Sequence, residues 1–195
     1  MANKDAAFGL RPIGKVGQNK DNQGLSEYNI AANSSAIYQN DTVQFLATGY
    51  VGVADTTTAV LLGSLNGVFY TDIANQKPRW ANHLAASNAA TDIVGFVSDD
   101  PYERFEVQSS TTLAIADIGL NANIVYAAGT SPNFVSKVEV DTTSGNMVST
   151  TAQFRVVGVA KDIQNSELSN VTTYAANVNV VGIINEHFLK QTTGI

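Results

Sequence analysis

Cysteine is absent from this chain, histidine occurs twice and tryptophan once in 195 residues. Without cysteine there is neither a disulfide framework nor a thiolate metal site, which fits folding in a reducing compartment. The two histidines, His83 and His187, stand in neither HExxH nor HxH spacing, so both read as surface or interface residues rather than metal ligands. Charge is also scarce, at 14% of residues, and its balance is acidic, net −6. An acidic body disfavours sequence-independent nucleic-acid binding, which depends on cationic side chains displacing counterions. Long apolar runs are missing: the longest, Ala59–Leu62 and Val180–Ile184, are far too short to span a bilayer. No such run follows Met1, so no signal peptide and no membrane association are expected.

Catalytic motifs are missing as well. There is no GxSxG elbow, no P-loop and no GxGxxG, so neither a serine nucleophile nor a nucleotide cradle is indicated. Acids are plentiful, but nothing selects a catalytic pair. Asp99, Asp100, Glu103 and Glu106 cluster within eight residues. Their spacing matches no EF-hand loop, and the bland reading is a turn followed by a strand with a solvated face. The expectation is a protein without catalytic residues, cofactor or metal.

What is present is strand signal. The runs Ser26–Ile30, Thr42–Leu46, Tyr50–Val53, Val68–Thr71, Ile93–Val97, Arg104–Gln108, Phe154–Val159 and Val178–Ile184 are β-branched, aromatic or alternating. Thr42–Leu46 and Tyr50–Val53, joined through Gly49, predict a hairpin. Val135–Val140 is a weaker strand. Helical spacing is confined to Thr111–Ile118, two turns at most, closed by Gly119; Ser34–Ile37 predicts one further turn. The prediction is an all-β protein with a barrel-like or sandwich core of short antiparallel strands and at most one or two short helices. A chain of this length buries roughly 70% of its unfolded surface and needs no staple. Thr, Ser, Asn and Gln are expected to supply most of the surface.

Two segments stand apart. Residues 1–24 hold four Lys/Arg against two Asp, net +2, whereas the remaining 171 residues hold seven against fifteen, net −8. Gly9, Pro12, Gly14 and Gly17 break this segment around Phe8, Leu10, Ile13 and Val16. It reads as an extended arm, docked on a partner through Phe8, Leu10, Arg11, Pro12 and Ile13, ahead of a single β-domain over 25–195. The second segment, 74–90, reads as a long loop excursion carrying Trp80 behind Lys77, Pro78 and Arg79. Trp80 could stack on a sugar or peptide; large aromatics are enriched at interface centres, so a subunit interface is the stronger expectation.

The stretch Asp5-Ala6-Ala7-Phe8-Gly9-Leu10-Arg11-Pro12-Ile13-Gly14 resembles the start of a family of small virion structural proteins of tailed bacteriophages, many of them marine. Ile37–Val43 with Gly49-Tyr50-Val51, Asp100–Gln108 with Ile118–Ala122, and Val180–His187 with Thr193-Gly194-Ile195 extend the resemblance, in order, over nearly the whole chain. It implies a capsid decoration, or cement, protein, made in the host cytoplasm and placed on the outside of the shell. Its partners would be the major capsid protein and further copies of itself, most simply a homotrimer. No catalytic residue comes with the resemblance. A tail, neck or fibre-base component fits the same pieces, and a glycan- or surface-binding β-module remains a third reading.

Overall fold

The computed structural model describes residues 3–17 and 24–192. Among them the strands are, in order, β1 (Arg11–Lys15), β2 (Ser26–Asn29), β3 (Thr42–Phe45), β4 (Val51–Val53), β5 (Gly63–Asp72), β6 (Lys77–Ala81), β7 (Val94–Ser98), β8 (Glu103–Ser109), β9 (Leu113–Ala114), β10 (Asn121–Ala122), β11 (Ile124–Val125), β12 (Glu139–Val140), β13 (Phe154–Val159), β14 (Leu168–Asn170), β15 (Thr173–Tyr174) and β16 (Asn179–Ile184). Helical structure among the described residues is limited to two 3-10 turns, Ile115–Asp117 and Phe188–Lys190. The protein is all-β, and its sheets wrap into a nearly closed, barrel-like core.

Two large sheets divide the sequence almost in half, with a small third sheet of order β14-β15-β9. Strands β2 to β7 form one, in the order β2-β7-β5-β3-β4 with β6 also paired to β5. Its inner face buries Ile30, Ile37, Val43, Val51, Leu62, Leu65, Val68, Leu84, Ile93 and Val97. The other runs β10-β13-β16-β8-β12-β11, and β1 joins it beside β8. Phe105, Val107, Phe154, Val156, Val178, Val180 and Ile184 fill its own apolar cluster. The alternation of Phe105 and Val107 places both on this inner face, as their spacing predicts. The halves are tied where the 54–61 segment crosses. Gln153, fully buried, donates to the carbonyls of Thr56 and Ala59 at 3.0 and 2.8 Å and accepts from the Ile124 amide.

The N-terminal segment departs from the expected arm. Residues 3–17 belong to the body. Leu10 is fully buried in the cluster around Phe105 and Phe154. Arg11 to Lys15 pair antiparallel with Glu103 to Glu106. Upstream of β1 the backbone is irregular, and side-chain amides take the place of a ladder. Gln108 accepts from the Ala6 amide and donates to the Lys4 carbonyl, both at 2.9 Å; Asn165 exchanges bonds with both backbone groups of Lys4. Asn40 donates to the Phe8 carbonyl and accepts, through its backbone, from the Leu10 amide. Gly9 makes this crossing feasible: at φ +74°, a Cβ there would lie 2.3 Å from the Asn40 carbonyl oxygen. Gly9 thus lets the chain pass close against Asn40 and Ser136. The rest of the expected arm, residues 1–2 and 18–23, lies outside the described residues.

Three further expectations change. Thr111–Ile118 is a short strand, β9, followed by one 3-10 turn, because Leu113 and Ala114 pair with Tyr174 and Thr173. The Ser34–Ile37 turn is replaced by extended chain that bridges Leu84. The 74–90 excursion is half hairpin: β6 pairs with β5 over five residues.

Candidate interaction surface

The outer face of the β2–β7–β5–β6 sheet carries the residue expected at an interface. Trp80 on β6 lies directly across from Phe69 on β5, and Phe69 lies across from Val94 on β7. Directly opposed residues in an antiparallel pair project from the same face. Trp80 is 56% exposed and Phe69 42%, whereas the neighbouring Val68 is fully buried on the other face. Phe96, half-buried, extends the apolar strip opposite Gly67, and Glu27 and Asn29 on β2 edge it. Gly67 makes room for the Trp80 ring: a Cβ at 67 would sit 2.5 Å from a ring carbon, so the indole packs against the glycine.

The free edge beside this face is blunted. The Thr71 amide donates to Asp92, away from β6, which makes Thr71–Pro78 a non-hydrogen-bonded pair. The missing amide of Pro78 therefore faces the open side of β6, where it discourages strand addition. Arg79 reaches Asp72 at 3.7 Å across an exposed surface, a contact of little energetic consequence. The exposed aromatic surface thus lies on the sheet face, and the edge beside it is blunted.

The five residues expected to dock the arm do not act as a set. Leu10 points into the core. The Arg11 guanidinium pairs with Glu106 at 2.6 Å and lies over the Phe8 ring, 4.7 Å from its centroid. Phe8 and Pro12 are half-buried. Ile13 is the extra residue of a bulge between Pro12 and Gly14, and that bulge leaves it 42% exposed. Val16, just beyond β1, is 52% exposed.

The acidic cluster is committed to structure. Asp99 accepts from Ser26 and Tyr28; burial first, and this carboxylate second, raise the Tyr28 phenol to about 12. Asp100 pairs with Lys15 at 2.8 Å, which holds its carboxyl below the usual range. Glu103 is almost completely buried, and burial raises its carboxyl. Glu106, expected on a solvated face, is covered by Arg11 and Asn179. No group of three His, Asp or Glu residues is arranged to hold a metal ion among the described residues.

The histidines are not simple surface residues. His83 stacks against Phe134 at 3.9 Å and 5°, with Tyr38 parallel on a longer contact of 6.3 Å. His187, expected at the surface or an interface, is 1% exposed. Its backbone forms a parallel bridge with Leu61 that draws it into the seam between the halves.

Sequence reading missed the buried amides and Asp41. Gln108, Gln153, Asn121, Asn165 and Asn179 are all buried, although amides were assigned to the surface. An amide offers both donor and acceptor, so it satisfies irregular backbone that a ladder cannot reach. Asp41 is fully buried and accepts from the Tyr38 amide at 2.7 Å; burial pushes its carboxyl up to about 6.

No family model matches this chain, and neither does any curated protein or solved structure. No helix among the described residues is long and apolar enough to cross a membrane.

Proposed function

We propose that this chain is a non-enzymatic virion structural protein, a capsid decoration protein that binds the outside of a phage shell and stabilises it. The observation that carries an assembly role is the exposed Phe69–Trp80 pair, continued by Val94 and Phe96 on one sheet face. Aromatic residues clustered on an accessible face are characteristic of contact centres. The virion context rests on the residue resemblance, and the partners follow from it: the major capsid protein and further copies of this chain, with a homotrimer as the simplest closed assembly at a three-fold site. Trp80 and Phe69 serve the contact between copies. Ile13, with exposed Arg11 and the half-buried Pro12 and Phe8, serves the shell.

The test is to mix purified protein with bare shells and count bound copies per particle. Saturable binding is expected, with sedimentation showing an oligomer on or off the shell. Ile13→Asp should reduce occupancy while leaving the oligomer intact, and Trp80→Ser should weaken the oligomer. Absence of binding at any concentration would remove the decoration role, and a monomer in both states would remove the self-contact.

A further inference from the structure

His187 combines three observations that its sequence context does not announce. Its Nδ1 accepts from the Leu189 amide at 3.1 Å and so caps the 3-10 turn Phe188–Lys190. An accepting Nδ1 leaves the ring hydrogen on Nε2. That nitrogen is enclosed, with no hydrogen bond of good geometry and the Asp99 backbone carbonyl as its one polar neighbour. Finally, two backbone bonds bracket the residue: Leu61 donates to the Glu186 carbonyl at 3.1 Å, and Phe188 donates to the Leu61 carbonyl at 2.9 Å. Phe188 then packs on Phe45 of the other half at 4.8 Å between ring centroids.

We propose that His187 is a proton-operated latch: the neutral imidazole caps the closing turn and holds residues 187–192 on the body, and protonation frees that segment. The chemistry is direct. A proton on Nδ1 removes the lone pair that receives the Leu189 amide, and it places a cation in an enclosed site where the Asp99 carbonyl alone does not offset burial. Opening at Phe188 uncovers the apolar side chains beneath it, Phe45 first. The latch goes beyond the virion reading and does not depend on it.

The groups facing the ring are Asp99 and Asp100, from the turn before β8, and Lys190 on the same turn. Asp99 is engaged by Ser26 and Tyr28, and Asp100 by Lys15. The Lys190 ammonium lies over the Tyr102 ring, 4.9 Å from its centroid. Burial first, and Lys190 second, outweigh the two acids and the Asp99 carbonyl and lower the imidazole from 6.5 to about 4. The sign follows. Closure is at full strength above 6.5, where both open and closed rings are neutral. It weakens continuously as pH falls from 6.5 towards 4, because the open form takes up the proton first. Between pH 7.5 and pH 5 the opening equilibrium should rise by about 30-fold.

The experiment is residue-resolved amide exchange of the full chain, with the protection of Leu189 corrected for intrinsic rate. Wild-type protection is expected to fall about 30-fold from pH 7.5 to pH 5. His187→Asn should retain it across that range, since the asparagine Oδ1 takes the position of Nδ1 as acceptor and does not titrate. Equal pH dependence in wild type and variant would overturn the latch. Should the variant fail to fold, nuclear magnetic resonance titration of the wild-type imidazole decides the matter. A depressed His187 titration accompanied by loss of Leu189 protection supports the latch; titration without that loss overturns it.

Discussion

Replacing Leu10 by Ala separates a built-in N-terminal segment from a free arm. The side chain is fully buried among Phe105, Val107, Phe154 and Val180. Removing three buried carbons from such a site costs about 2–5 kcal/mol, the spread reflecting how far the cavity collapses. For a chain of this size each kcal/mol lowers Tm by about 2–4 °C. Leu10→Ala should therefore lower the Tm of isolated protein by roughly 5–15 °C, with an unchanged denaturant m-value. Ile13→Ala is the matched control three residues away. Its side chain sits exposed on the bulge, so its effect should stay within about 0.5 kcal/mol. A free arm predicts that neither substitution touches the stability of the body. The assay is thermal and urea unfolding of monomeric protein at one pH. If Leu10→Ala unfolds within a degree or two of wild type, the N-terminal segment is not part of the core and its placement is wrong.

Three further outcomes are expected. Gln153→Ala should cost about 2–5 kcal/mol by urea unfolding, because the Ile124 amide and the Thr56 and Ala59 carbonyls lose their partner together; a neutral result would mean that the seam between the halves does not rest on this residue. Asp41→Asn tests the buried carboxyl: its folded value of about 6, against an ordinary 3.8, means that protonation favours the folded state. Stability from this group is thus full below 3.8 and lost as pH rises through 6, so the variant should gain up to about 3 kcal/mol relative to wild type at pH 8 and little at pH 3.5; a gain independent of pH would contradict the assignment. Trp80→Ser should shift oligomers towards monomer in sedimentation while leaving Tm nearly unchanged at the lowest protein concentrations; an unaltered oligomer would exclude this face from the self-contact.

Much of the fold was legible because burial on one face writes a period of two into the chain. Phe105 and Val107 followed from that rule, while the Thr42–Val53 hairpin and the Phe154 and Val180 runs followed from β-branched and aromatic residues beside turn signals. The helix at Thr111–Ile118 was misread because eight residues carry too few periods, and the partner that makes Leu113 a strand residue lies some sixty positions on. The N-terminal segment was misread for a related reason. Its glycines and Pro12 forbid a long regular element, but they do not forbid a buried one when Gln108, Asn40 and Asn165 supply the missing hydrogen bonds from far along the chain. Those amides carry no local signal, since nothing in the type of a Gln or Asn distinguishes a buried clamp from a solvated surface residue. Trp80 was visible as a candidate from its type alone. Its pairing with Phe69 needed the β5–β6 register, which the sequence concealed behind Asn75-Gln76-Lys77-Pro78.

The central claim, that this chain works as a decoration component of a virion, is tested most directly by locating it in an imaged particle. The account predicts density for the β-body on the outer surface of the shell, at repeated symmetric positions, with the Phe69–Trp80 face against a neighbouring copy and Ile13 towards the shell. Density confined to the tail or neck, or an outer surface without this protein, would contradict it.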